Sequence, residues 1–152
     1  MIGCGDIKTL VDPGDFPERN EEFVANFDAY LTHHTDVKIN RILVTHGHFD
    51  HFGGVYDTIK LLQERNRSTQ DLKVFKYLTD NEYEQHVFER YPQLRQHVHT
   101  IGDRQIFEVE DGLSIEAMLT PGHLDDHMSF LIREKKTLVT GDIILGAPST
   151  SI

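Results

Sequence analysis

Two spacings of apolar residues organise the first half of the chain. Lys8 to Val11 is a short apolar-rich run closed by Asp12-Pro13-Gly14, which predicts a strand entering a turn. From Glu18 onward, Phe23, Val24, Phe27, Tyr30 and Leu31 recur at i, i+1, i+4, i+7 and i+8, one face of an amphipathic helix ending near His33-His34. Ile39, Ile42, Leu43 and Val44 make a compact, β-branched run that stops at Thr45 and predicts a buried strand, and a histidine-rich loop follows directly. After Gly53-Gly54, the residues Val55, Ile59 and Leu62 mark a second helix running to about Arg65. Val74 to Leu78 predicts another strand, with Thr79 or Asp80 as the N-cap of a helix through Glu82, Tyr83 and Phe88 that Pro92 ends. This order, β-α-β-α-β-α, is the signature of strands covered by helices.

The second half changes character. Ile106 to Val109, Leu113 to Leu119, Met128 to Ile132 and Thr137 to Thr140 are strand-like runs separated by Asp111-Gly112, Pro121-Gly122 and Glu134-Lys135-Lys136. Short turns between strands predict a mostly antiparallel meander. The fold class expected is therefore α/β with mixed sheets and helices outside, as one domain over residues 1–152. A chain of this size buries roughly 68–70% of its unfolded surface, enough for a core without covalent staples. Cys4, the single cysteine, excludes a disulfide framework within the chain. No apolar stretch approaches the length of a membrane span, and the first residues resemble neither a secretory signal nor an Arg-rich transit peptide. The expectation is a non-secreted, non-membrane protein. With 25 acidic against 15 basic side chains, the formal charge of −10 argues against a general nucleic-acid-coating protein.

Ten histidines stand out, three of them in His46-Gly47-His48-Phe49-Asp50-His51. Neutral imidazole is a good ligand for zinc and similar borderline ions, and carboxylates complete such shells. Four ligand-type residues within six positions are too many for one small ion without strain, so the spacing points to two neighbouring metals. His123, in Thr120-Pro121-Gly122-His123, and Asp142, after Val139-Thr140-Gly141, follow later strands and supply further candidate ligands. The two oxygens of Asp142 suit a bridge between cations.

These motifs resemble the metallo-β-lactamase fold superfamily. Within it, Thr120 to Leu131 (TPGHLDDHMSFL) and Gly141-Asp142-Ile143-Ile144-Leu145-Gly146 are similar to the β-lactamase-like protein 2 group, metal-dependent endoribonucleases acting on single-stranded RNA. The resemblance implies an αββα sandwich, incomplete here. It gives one metal to His46, His48 and His123 and the other to Asp50 and His51, with Asp142 bridging. It also implies Zn2+, with Mn2+ or Fe as alternatives, single-stranded RNA as partner, and a mitochondrial location, the cytoplasm being the alternative. Two cations roughly 3.5–4 Å apart lower the pKa of a shared water toward 7, and Asp50 is placed to orient it and handle its proton. They also shift the formal charge from −10 to about −6, concentrating positive potential at the site. Family members begin with further strands and continue to a final histidine that completes the second metal. Their absence here suggests a domain shortened at both ends, with a weakened second site.

Asp12 matches an acidic residue beside the family's site; it reads either as a partner of a ligand histidine or as a turn former. Asp126 and His127 read as hydrogen-bonding supports of the ligands, or as a solvated turn. His33 and His34 close a helix, and His86, His97 and His99 read as surface residues. Lys60, Arg65, Arg67, Lys73 and Lys76 form the only local basic excess, available to RNA phosphates or to solvated helix ends. Three functions are consistent with this: an endoribonuclease, a thioester hydrolase resembling glyoxalase II, and a catalytically silent metal-binding form.

Overall fold

A computed structural model describes residues 1–110 and 112–146. Asp111 of the expected Asp111-Gly112 turn and the stretch 147–152 lie outside the described residues. Along the chain run β1 (Ile7–Val11), α1 (Glu21–His33), β2 (Lys38–Leu43), α2 (Phe49–Phe52), α3 (Val55–Glu64), β3 (Lys73–Lys76), α4 (Glu82–Arg90) and β4 (Val98–Thr100). Then follow β5 (Ile106–Glu110), β6 (Leu113–Leu119), β7 (Met128–Ile132) and β8 (Thr137–Val139). Among the described residues no helix is long and apolar enough to cross a membrane.

The strands form two four-stranded sheets, as the αββα expectation requires. β1-β2-β3-β4 is parallel throughout and β5-β6-β7-β8 antiparallel throughout. The division follows from the connections: helices return the chain to the same end of the first sheet, whereas tight turns reverse it in the second. β4 lacks an apolar run, since Val98-His99-Thr100 is half-buried to exposed at the sheet edge; its signal was too weak to predict it. The N-cap of α4 is Asn81, whose side chain accepts from Glu84 N–H; neither Thr79 nor Asp80 fills that place.

Alternation along each parallel strand builds two cores. Leu10, Ile42, Val44 and Val74 point toward the helices, joining Phe27, Leu31 and Leu62. Val11, Leu43 and Phe75 point the opposite way and meet Ile115, Met128 and Phe130 of the second sheet. The layers described are thus helices, parallel sheet, antiparallel sheet. Together these fit the expected α/β class with helices outside the sheets. The carboxyl ends of β1 and β2 and the β6–β7 and β8 ends meet along one edge, where Met128 N–H donates to Thr45 C=O at 2.7 Å. Crevices at the carboxyl ends of parallel strands are where open α/β sheets place their sites.

Candidate metal centre

That edge gathers the histidine loop. His46 Nε2 and His123 Nε2 each lie 3.0 Å from His48 Nδ1. Ligand atoms of His46, His48, His123 and Asp142 all fall within 4.8 Å of one another. One oxygen of Asp142, Oδ2, faces His123 Nε2 at 3.6 Å and His46 Nε2 at 4.0 Å. The other, Oδ1, faces His51 Nε2 at 3.4 Å, and His51 Nε2 lies 3.6 Å from Asp50 Oδ2. The carboxylate therefore stands between a three-histidine group and an Asp50–His51 group. Asp50 is largely exposed and is the member open to solvent.

Burial, reinforced by the neighbouring imidazoles, pushes His46 down to about 2, and burial also holds His48 below the usual histidine range. Burial opposes charge on His51 too, but the hydrogen bond and charge of Asp12, with the charges of Asp50 and Asp142, together outweigh it and raise that ring. Imidazole rings whose nitrogens converge at 3.0 Å, beside a carboxylate, are a donor set suited to a divalent cation.

Asp12 combines both roles considered for it. It sits at φ 46°, a left-handed turn that Asp tolerates, and its carboxylate accepts from Thr45 N–H and Thr45 Oγ1–H, each at 2.8 Å. The same carboxylate lies 3.0 Å from His51 Nδ1, leaving Nε2 toward Asp50 and Asp142. His127 is fully buried, so it is no solvated turn. Its Nε2 accepts from the Asp142 backbone N–H at 3.2 Å, while Nδ1 lies 3.0 Å from Thr120 Oγ1. This contact needs Gly141: a Cβ there would stand 2.5 Å from His127 Nε2, and φ is +51°.

Asp126 departs from expectation. Among the described residues its hydrogen-bond and ion-pair partners are not the candidate ligands: Oδ2 pairs with Lys76 Nζ and accepts from Asn81 Nδ2 at 3.0 Å. Lys76 is fully buried and also pairs with Glu84, and a buried ammonium requires such partners. Asp126 Oδ2 packs closely against the loop at Gly47, where an added Cβ would stand 2.9 Å from it. The sequence reading did not single out Glu84, and it placed Lys76 in the basic cluster and Thr45 only at a strand end, so the supporting roles of all three emerge from the structure.

The basic cluster does not assemble. Lys76 is buried, Arg65 pairs with Asp28, Lys60 with Glu64, and Arg67 binds the Leu31, His34 and Thr35 carbonyls at the end of α1. His86, read as a plain surface residue, is exposed but packs its ring against Phe16 and Phe49.

Residues 2–152 match the family described as the metallo-beta-lactamase superfamily. The chain belongs to that superfamily. It is 31% identical, over its whole length, to an "Atrochrysone carboxyl ACP thioesterase" of Aspergillus fumigatus, and 32% identical over 96% of its length to "Thioesterase pkgB" of Emericella nidulans. The chain spans 41% and 35% of those two proteins. A crystal structure of a β-lactamase domain protein from Burkholderia ambifaria superposes with a TM-score of 0.72 at 17% identity, covering 95% of this chain and 48% of that one, which shows the shared fold. This metallo-β-lactamase fold carries a histidine–aspartate group suited to a divalent metal.

Proposed function

We propose that this metallo-β-lactamase protein hydrolyses acyl thioesters. The observation that carries the reading is the Asp142 carboxylate, whose two oxygens face two separate ligand groups beside a solvent-open Asp50. His46, His48 and His123 would hold one divalent cation, zinc, manganese or iron, and Asp50 and His51 a second, with Asp142 shared. When bound, such ions supply Lewis-acid polarisation of the scissile carbonyl and a lowered pKa for the attacking water. The residues do the rest. Asp50 reaches solvent and takes the proton from the attacking water. His127 and Asp12 hold Asp142 and His51 in orientation.

Two observations support a thioester over single-stranded RNA. Relatives matched along nearly the whole chain are named thioesterases. The hollow next to Tyr83, whose ring meets His48 at 4.7 Å, is lined by Glu82 and Glu89 with no Lys or Arg, a poor channel for a polyanion. The endoribonuclease reading keeps the support of the Thr120 to Leu131 motif, and RNA cleavage is the second activity to test. Metal-loaded protein is incubated separately with a simple acyl thioester, followed by thiol release, and with unstructured RNA, with Asp50→Ala as control. Thiol release lost in the control is expected. RNA cleavage without thiol release would replace this reading with the second, and neither activity in a metal-retaining protein would leave only the silent form.

A further inference from the structure

An unbroken row of rings leads away from the centre. His48 meets Tyr83 edge-on at 4.7 Å, Tyr83 meets Phe49 at 5.5 Å, and Phe49 meets both His86 at 5.1 Å and Phe16 at 5.2 Å. Tyr83 and Phe49 are half-buried and His86 exposed, so these three present ring surface to solvent, while the buried Phe16 ties the row to the core. It is flanked by two hollows of about 420 and 370 Å³ that share Phe49 and His86, each in the range that holds small ligands.

We infer that the shelf of Tyr83, Phe49 and His86, backed by the buried Phe16, is the acyl-binding groove of this site and takes a flat, uncharged aromatic acyl group; the inference rests on the thioester reading above. The rings supply stacking surface that begins at a candidate metal ligand, so an acyl group lying on them has its carbonyl end toward His48. The charges disfavour an anion. Glu82 and Glu89 line the first hollow without a basic partner, and in the second Arg19 and Arg90 are balanced by Asp15 and Glu18, with Arg90 paired to Glu18 and stacked over Phe16 at 4.5 Å. A nucleic acid also stacks on aromatics, but it needs a basic groove beside them, which this one lacks.

The test measures binding without turnover. Naphthalene-2-carboxamide, an uncharged stand-in for the acyl group, and naphthalene-2-carboxylate are titrated by calorimetry into the metal-loaded protein, His86→Ala and His86→Phe. Residue 86 is exposed, so both variants keep the core intact. The carboxamide is expected to bind the wild type saturably and more tightly than the carboxylate. It should weaken about three- to tenfold in His86→Ala, the worth of one aromatic contact, and recover in His86→Phe. No saturable binding, equal binding to wild type and His86→Ala, or tighter binding of the carboxylate would each overturn the inference. Parallel thioester assays separate the two readings. A residue-86 effect on binding without any thioester turnover overturns the hydrolase reading and leaves the groove; turnover with binding indifferent to residue 86 does the reverse.

Discussion

Lys76→Met tests whether a buried charge network underpins the histidine loop. The Lys76 side chain is 0% exposed, and its ammonium meets Glu84 Oε1, Asp126 Oδ2 and the Tyr77 carbonyl. Glu84 also accepts from the Thr79 and Asp80 N–H groups, and Asp126 from Asn81, so the network ties β3, the start of α4 and the Gly47 contact together. Methionine fills similar space but leaves two carboxylates facing each other without a counter-charge. Removing one partner of a buried ion pair costs about 3–5 kcal/mol. With full burial there is no solvent screening to discount it. That is a large share of the roughly 5–15 kcal/mol holding a domain together. At about 2–4 °C per kcal/mol for a domain of this size, Tm should fall by about 6–20 °C. Thermal unfolding is followed by circular dichroism in metal-free buffer for the wild type, Lys76→Met, Asp126→Asn and the double variant. The double variant should recover part of the loss, giving a coupling energy above about 0.5 kcal/mol. A fall under about 2 °C in Lys76→Met, or additive single effects, would show that the network is not the support described.

Three further outcomes follow from the centre. Gly141→Ala should drive His127 from the Asp142 backbone, since the new Cβ would stand 2.5 Å from His127 Nε2, and metal retention measured by elemental analysis should drop; unchanged retention would dismiss this positioning. Asp12→Asn keeps the shape but weakens the hold on Thr45 and His51, and metal affinity by competitive chelation should fall about 10–100-fold. Removing metal with a chelator should lower Tm, because a ligand that binds only the folded state adds about 2.7 kcal/mol at a concentration 100 times its Kd; a Tm indifferent to chelator and to added zinc or manganese would speak against a metal centre.

The local pattern carried much of the architecture. The helices α1, α3 and α4 and most strands were legible because each buries one face, and the spacing of Phe23, Phe27, Tyr30 and Leu31 or of Leu113, Ile115 and Ala117 records that face directly. The ligand-type cluster from His46 to His51 was equally visible, being contiguous. β4 was missed because an edge strand has little to bury.

What the sequence by itself determined is therefore the set of elements, the change from helix-linked to turn-linked strands, and a metal-type donor set. Tertiary structure alone decided which partners those residues meet. Lys76 reads as the last of five basic residues between Lys60 and Lys76, yet its partner Asp126 is 50 positions away and the lysine is sealed in the interior. Tyr83 reads as a helix-face aromatic, yet it abuts His48, and the two oxygens of Asp142 divide between His46 with His123 and His51. The physical reason is that periodicity reports how much of a residue is buried, whereas charge pairing, ring contact and ligand convergence depend on which distant segments the fold brings into reach.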